Sequence, residues 1–564
     1  MARIRKFLAD NYRKFSFSII VNLALCLFFN ILFYCRYHTV DDVFMEMNVC
    51  GAYGKFDPHL IYSNIILGYV LKFLYHFNNS FPWYGLMHIL MALFSLSTIM
   101  YVFMNNENRI AKILVMVAIF IVSYEAYTKV QFTKTAAYLA CAGYILIASS
   151  LEDEKRIIKQ IFGIIFIWNS FMIRTGMFLG SSAICLGCLM PKIISYLKGI
   201  KQEHNRKDFV NLICVGLCSL LIVGASFFID SSAYKTEGWS YYKRFNEYTT
   251  QFQDINFPSY TEYEEEFNKL GIYLEDYRLY DDSDHNDPDL FDLEKMEVIK
   301  KLQPYKTVNS NEIVMFGLRG YNTLFKQKSL ATFTLVAVFI VLFFVFGCRN
   351  SWISWLSVLY TGFATVFAFA YTYFMHGWFD RTTLAVMTAF IFTMLYLLEP
   401  KENKISKTIV YCFAVFTVVC SLFIWSEYFR WNMNDWREEY QINHEALNEI
   451  YEDKDHLYIS RTSLPLWKRY YTPYDKIRFG SMSNYSPLGD WIANTPLLKK
   501  TLTDYGVRNP YKDMVNNDKV YFIGFSDNMQ PVIDYIQRHY YQNLEVETVK
   551  ECGPYVVYSL KGSN

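Results

Sequence analysis

Apolar residues in this chain gather into long runs instead of alternating singly with polar ones. Runs of about 17–22 residues with few charges recur, and a helix needs about 20 apolar residues to cross a bilayer. The runs that qualify lie roughly at 15–35, 83–104, 110–127, 132–150, 157–172, 175–191, 209–229, 330–347, 352–374, 382–398 and 407–425. The pattern predicts a polytopic α-helical membrane protein with about 11 transmembrane helices. The segment 59–78, HLIYSNIILGYVLKFLYHFN, differs. Lys72 interrupts it, His and Asn bracket it, and its apolar residues recur at helical spacing. That predicts a helix lying on or dipping into the interface.

The polar intervals orient the spans. With 59–78 not crossing, the basic clusters all fall on one side: Arg3, Arg5, Lys6, Arg13 and Lys14; Arg109 and Lys112; Lys155, Arg156 and Lys159; Lys198, Lys201, Arg206 and Lys207; Arg349; Lys401, Lys404 and Lys407. The positive-inside tendency makes that side cytoplasmic, the N-terminus included. The start MARIRKFLADNYRKF leads into the first run without a small-residue cleavage site, so the first helix is expected to be retained. The expected organisation is then an N-terminal transmembrane module, 1–229, whose first external loop is 36–82. A large extracytoplasmic loop follows at 230–329, further transmembrane helices at 330–425, and an extracytoplasmic domain at 426–564. In that last piece VYFIGF and EVETVKECGPYVVYSL have strand character, and NTPLLKKTLTDY and NMQPVIDYIQRHYY have helical periodicity. A small α/β domain is expected there.

Composition agrees with a membrane protein. Charged residues make up 19% of the chain, below the roughly 25% of a soluble one. The net charge is +1 and no basic stripe points to nucleic acid. Most of the 12 cysteines sit inside apolar runs, where they act as small hydrophobes. Cys185 and Cys188 have CxxC spacing, but no second pair and no nearby His completes a metal site. Cys50 and Cys552 are both placed outside, which leaves a disulfide open. Motifs of the GxSxG, HExxH and GxxxxGK[ST] types are missing from the sequence, which argues against ATP-driven transport by this chain alone.

The chemistry starts at TVDDVFMEM, residues 39–47, where Asp41 and Asp42 follow the first span by a few residues. A carboxylate at that level can face water or headgroups. One reading is a solvated loop, the other a catalytic base. Adjacent residues point to different sides, so one acid faces substrate while the other orients backbone or holds a divalent cation. Glu46 shares a helix face with Asp42, and Asp57 offers another carboxylate before the interfacial helix. DDSDHNDPD carries Asp282, Asp284, Asn286, Asp287 and Asp289, like the start of a calcium loop. It lacks the glycine and the closing Glu, so an acidic turn is expected. Trp239, Tyr241, Tyr242 and Tyr248 could stack on sugar rings or pack as a lid.

A basic N-terminus and one helix lead into an external loop with acids. Then come a Pro-led interfacial helix (DPHLIYSNIILGYVLKFLYHF), a Pro-Trp element (FPWYGLMHILMALFSL) and a long series of spans. This order resembles the GT-C superfamily of integral-membrane glycosyltransferases, which includes protein O-mannosyltransferases and lipid A aminoarabinose transferases. The resemblance covers the first half of the chain in order and spacing. In the second half it extends only to helices plus an external domain. It implies an inverting transfer of a sugar from a polyprenyl-phosphate carrier to a glycan, teichoic-acid-like polymer or glycolipid acceptor on the outer face, with Asp41 or Asp42 as general base. Cations would hold the leaving phosphate. Those at outer turns are Lys129, Lys134, Arg174 and Arg381, with His376 nearby. Arg174 and Arg381 are preferred because a guanidinium grips phosphate bidentately. Asp57, Trp239 and Tyr242 are the candidates for binding acceptor or sugar. Two other readings stay open: a polysaccharide polymerase or ligase, with its essential residues in 230–329, and a lipid-linked saccharide transporter.

Overall fold

The computed structural model describes residues 13–151, 156–255, 257–281, 286–302, 309–461, 471–525 and 529–563. The first apolar run forms α1 (Phe15–Leu32). The acids after it open a short helix, α2 (Val40–Cys50), which ends at Gly51 in a left-handed conformation (φ 78°) that suits a residue without Cβ. The interrupted run folds as α3 (Ile65–Phe77), capped by Asn64, whose side chain accepts the Ile66 N–H. Thirteen residues rise about 20 Å, too short for the roughly 30 Å hydrocarbon core. α3 exposes Tyr69, Val70, Phe73 and Phe77 along one side. It passes tightly under the preceding loop: a Cβ on Gly68 would lie 1.8 Å from the Pro58 carbonyl oxygen.

The bundle continues with α4 (Trp83–Met104), α5 (Arg109–Thr128), α6 (Phe132–Ser150) and α7 (Arg156–Ile173). After a break at Arg174 come α8 (Thr175–Cys185), α9 (Met190–Lys198), α10 (Glu203–Ala233) and α11 (Glu237–Ile255). The second half holds α12 (Lys328–Gly347), α13 (Trp352–His376), α14 (Asp380–Leu397) and α15 (Lys404–Trp425). Among the described residues nine helices are long and apolar enough to cross a membrane, and ten if the pair Thr175–Cys188 and Met190–Lys198, bent by 51°, is one span. The remaining expected run is α14. It is 18 residues long but carries Thr383, Thr388 and Thr393, all buried against neighbouring helices instead of facing lipid. A helix enclosed by protein tolerates such hydroxyls, and Thr388 returns its own to the Leu384 carbonyl at 2.7 Å.

α6 is the central helix and nearly all of it is buried. It meets α7 through Gly143 and Gly163, where a Cβ on Gly143 would come within 2.8 Å of the Gly163 carbonyl. Small residues let the two backbones approach, the usual way helices pack where lipid gives no hydrophobic drive. Cys141 and Cys185 lie 3.8 Å apart, sulfur to sulfur, as free thiols in this interior. Cys50 and Cys552 are also free: one donates to the Met47 carbonyl and the other contacts Glu449.

The C-terminal part begins with α16 (Asn434–Glu452) and builds a five-stranded sheet of order β4–β3–β5–β7–β6. Its strands are β3 (Leu457–Ser460), β4 (Tyr485–Pro487), β5 (Val520–Gly524), β6 (Asn543–Cys552) and β7 (Tyr555–Ser563). β3, β4 and β5 run parallel, while β7 and β6 pair antiparallel. Helices α17 (Pro496–Asp504) and α18 (Gln530–His539) accompany it. The fold is thus a polytopic helical bundle with a small C-terminal α/β domain. A two-residue parallel pair, β1 (Arg36–Tyr37) with β2 (Lys129–Val130), ties the chain before α2 to the start of α6.

The acidic loop between α11 and α12 does not stand alone. Phe245, Phe252, Phe257, Phe267, Tyr280 and Phe291 share one core with Leu457, Ile459, Phe522 and Tyr535 of the sheet domain. Asp287 pins the two together: it accepts from Asn509 Nδ2 (3.0 Å) and from the hydroxyls of Tyr535 (2.8 Å) and Tyr540 (2.7 Å). The acidic turn therefore has protein partners at Asp287, while Asp282 and Asp284 lie outside the described residues.

Candidate active site

The end of the bundle that carries α2 holds the adjacent acids Asp41 and Asp42 in different surroundings. Both lie in the first turn of α2, where the helix dipole favours negative charge. Successive helical residues are about 100° apart, so they cannot share a face. Asp42 turns inward and is fully buried. It accepts the Phe132 backbone N–H (3.1 Å), the Tyr84 hydroxyl (3.0 Å) and, more loosely, the Thr39 hydroxyl (3.4 Å). Burial, with the Asp41 charge beside it, pushes its carboxyl well above the usual range. Asp41 turns outward, with its side chain 16% exposed. One oxygen accepts the Trp491 indole N–H at 3.1 Å, and the other faces the Arg381 guanidinium at 3.9 Å.

Glu46, one turn after Asp42, is also internal. It accepts the Tyr37 hydroxyl (2.6 Å) and the Tyr75 hydroxyl (2.7 Å), joining β1, α2 and α3. Burial raises its carboxyl to about 7, against 4.5 ordinarily, and the two hydroxyls only partly offset this. A carboxyl raised in the folded state stabilises fully below its unfolded value and loses that contribution as pH rises through the folded one. Stability should therefore fall by about 3 kcal/mol from this group as pH rises from 4.5 to 7. Asp42 acts in the same direction, so the difference between wild type and Glu46→Gln isolates Glu46. In detergent, the wild-type melting temperature is expected to drop more steeply than that of Glu46→Gln between pH 5 and 8. Equal slopes would contradict the assignment.

The remaining predicted residues separate into four places. Arg381 lies beside Asp41, and Arg174 is linked to it through Tyr62 and Trp491. Arg174, at the α7–α8 break, sets its guanidinium over the Tyr62 ring (4.9 Å) and the Phe132 ring (5.4 Å). Tyr62 in turn packs on Trp491, ring centroids 5.0 Å apart. Lys134 lies inside the bundle, 1% exposed, bonded at 2.8 Å to Glu125, which also binds Lys129 at 2.9 Å. His376 ends α13 on the exposed side, its ring 6.4 Å from Tyr371. Asp57, Trp239 and Tyr242 form a seam between the first loop and α11. Asp57 binds His59 Nδ1 at 2.6 Å, and the His59 ring stacks on Trp239 at 4.1 Å. Tyr242, fully buried, donates its hydroxyl to the Trp491 carbonyl at 2.7 Å. One face of Trp239 is thus taken by imidazole, and its exposure is 6%.

The chain just before α2 lines a cavity of about 540 Å³, which the sequence did not single out. Its walls bring Arg36, His38, Lys129 and Lys328 together with Asp380 and Glu427. Lys328 pairs with Glu427, and Lys129 bonds Glu125 and the Ser329 hydroxyl. Arg36 has no ion-pair partner among the described residues, and the buried His38 Nδ1 has no hydrogen-bond partner there. Burial, with Lys134 adding to it, keeps the His38 imidazole neutral by lowering it well below its ordinary value. Two short pieces of chain link the cavity to Asp41: Arg36 and His38 line it a few residues before Asp41, and Asp380 lines it next to Arg381, which faces Asp41. The signal in the sequence was the RYH triplet before TVDD, whose register with Lys129 only the β1–β2 pair reveals.

Among solved structures, the chain is similar to ArnT from Cupriavidus metallidurans. In its apo state and bound to undecaprenyl phosphate, ArnT is 10% and 11% identical, with TM-scores of 0.41 over 96% of this chain and 97% of that one. It is also similar to the Archaeoglobus fulgidus oligosaccharyltransferase in complex with zinc and sulfate (8% identity, TM-score 0.38, 90% of this chain and 67% of that one). No family profile and no curated protein matches the sequence.

Proposed function

We propose that this protein is a GT-C-type glycosyltransferase. It takes a sugar from a polyprenyl-phosphate carrier and passes it to a hydroxyl of a cell-surface glycan, teichoic-acid-like polymer or glycolipid. The observation that carries this reading is one partly exposed carboxylate, Asp41, three residues from His38 in the wall of a cation-lined cavity in a membrane bundle. The positive-inside tendency makes the Asp41 side the outer face.

The chemistry follows from the parts. Asp41 removes the proton as the acceptor hydroxyl attacks the anomeric carbon. The bond from that carbon to the phosphate oxygen breaks, and its electron pair leaves with the lipid phosphate. Attack opposite the leaving group inverts the anomeric centre. Fixed cations stabilise the departing charge most where water is scarce. The candidates for this role are Arg36, which has no counter-ion among the described residues, and Lys129 in the cavity wall, with Arg381 at Asp41. The neutral His38 ring can donate its N–H to a phosphate oxygen.

Binding of a polyprenyl phosphate tests the cavity. Wild-type protein in detergent should melt several degrees higher with the lipid present, since a ligand that binds only the folded state stabilises it. Arg36→Glu should lose about tenfold or more in affinity, because it replaces an attraction with a repulsion at the anion. The same stabilisation in both proteins would contradict the placement.

A further inference from the structure

Residue 491 joins three parts of the chain that are far apart in sequence. Its indole N–H binds Asp41 of α2, its ring packs on Phe44 (4.9 Å) and Tyr62 (5.0 Å), and its carbonyl accepts the Tyr242 hydroxyl from α11. We propose that Trp491 is a positioning residue of the transfer site, through which the C-terminal domain holds Asp41 in its working orientation. This rests on the reading of Asp41 as the base.

The geometry gives the two carboxylate oxygens different tasks. Oδ1 is occupied by the indole N–H at 3.1 Å. Oδ2 faces Arg381 at 3.9 Å, beyond hydrogen-bond length, which leaves space for an incoming hydroxyl. Without the indole, the carboxylate could rotate about its Cβ–Cγ bond, a broad torsion with little preference of its own. It could then close on Arg381 as a salt bridge, which would occupy the oxygen the acceptor needs.

Backbone conformation points to the same spot. Among the described residues, three that are not glycine have positive φ: Ile61 (66°), Asp490 (65°) and Asn516 (58°). Two of them immediately precede Tyr62 and Trp491, the rings that meet beside Asp41. For a β-branched residue such as Ile61 that conformation is unfavourable, and it persists only where the surroundings over-determine it. Here the Ile61 N–H donates to the Tyr234 hydroxyl (3.0 Å), and Tyr242 fixes the carbonyl of residue 491. The strain is the cost of bringing together two aromatic side chains distant in sequence, one of which binds Asp41. Tyr62 extends the connection to Arg174, whose guanidinium lies over its ring. The site is therefore complete only with the C-terminal domain seated.

Trp491→Phe tests this, since it keeps a ring against Phe44 and Tyr62 and removes the N–H. Full-length protein in detergent is treated with a water-soluble carbodiimide and glycinamide, and amide formation at Asp41 is followed by peptide mass spectrometry. Releasing Oδ1 should raise labelling of Asp41 about threefold or more, while buried Asp42 stays unlabelled in both proteins. In cells at equal abundance, Trp491→Phe should lower transfer to the surface glycan about tenfold, as expected for one hydrogen bond to a charged group. Tyr242→Phe, which frees the 491 carbonyl, should shift both readouts the same way by less. Unchanged labelling and transfer in Trp491→Phe, with Asp41→Asn inactive, overturns the role of Trp491 alone. Full transfer by Asp41→Asn overturns the reading of Asp41 and this inference with it.

Discussion

Asp41→Asn is expected to lower sugar transfer by about three orders of magnitude, within the range that a positioned general base contributes. The amide keeps the shape of the side chain, and its oxygen still accepts the Trp491 N–H, so the fold is undisturbed. What it loses is the capacity to take the acceptor's proton. Asp42→Asn should behave differently. Its carboxyl is buried, and burial favours its neutral form, so an amide oxygen can still accept the Phe132 N–H and the Tyr84 hydroxyl. Transfer within about tenfold of wild type is expected, since only the weaker hydrogen bonds are perturbed. The check is surface-glycan composition in a deletion strain carrying each variant at equal abundance. Equal loss in both variants would mean that the outward-facing acid has no distinct role.

The second large effect lies inside the bundle. Glu125→Ala should destabilise the protein by about 3–5 kcal/mol, because it leaves Lys134 buried without its counter-charge. Native stability is only about 5–15 kcal/mol, so accumulation of the folded protein should fall sharply. Lys134→Met alone should do the same from the other side, although Lys129 then still neutralises Glu125 and softens the loss. The pair Glu125→Gln with Lys134→Met should recover much of the yield, since a buried ion pair replaced by groups of similar volume is often neutral. Monodisperse yield on size exclusion measures all three. A well-folded Lys134→Met protein with weakened lipid-phosphate binding would instead make Lys134 a ligand.

These two cases show what sequence could and could not reveal. The membrane bundle was readable because run length sets whether a helix can cross lipid. That α3 is too short to cross was readable from Lys72 and the polar brackets. Strands β5 to β7 and helices α17 and α18 announced themselves by periodicity, whereas β3 and β4, at four and three residues, are too short to do so. That only one of Asp41 and Asp42 can face outward follows from helix geometry. Which one it is depends on Tyr84 and Phe132, which are distant in sequence. Lys134 looked like an outer cation because its position near a helix start was weighed alone. Glu125, an acid nine residues earlier at the end of an apolar run, was the signal that a buried partner exists. Trp239 read equally well as a stacking platform or as packing, and His59 lies on its ring. Trp491 left no local sign at all, since its partner Asp41 is 450 residues away.

The most direct test of the central claim is the pool of lipid-linked sugar in the host membrane, measured by mass spectrometry together with the surface glycan. A clean deletion should accumulate one polyprenyl-phosphate sugar and lose that same sugar from the glycan, and wild type but not Asp41→Asn should reverse both. A deletion that leaves the lipid-linked pool and the glycan unchanged would contradict the account.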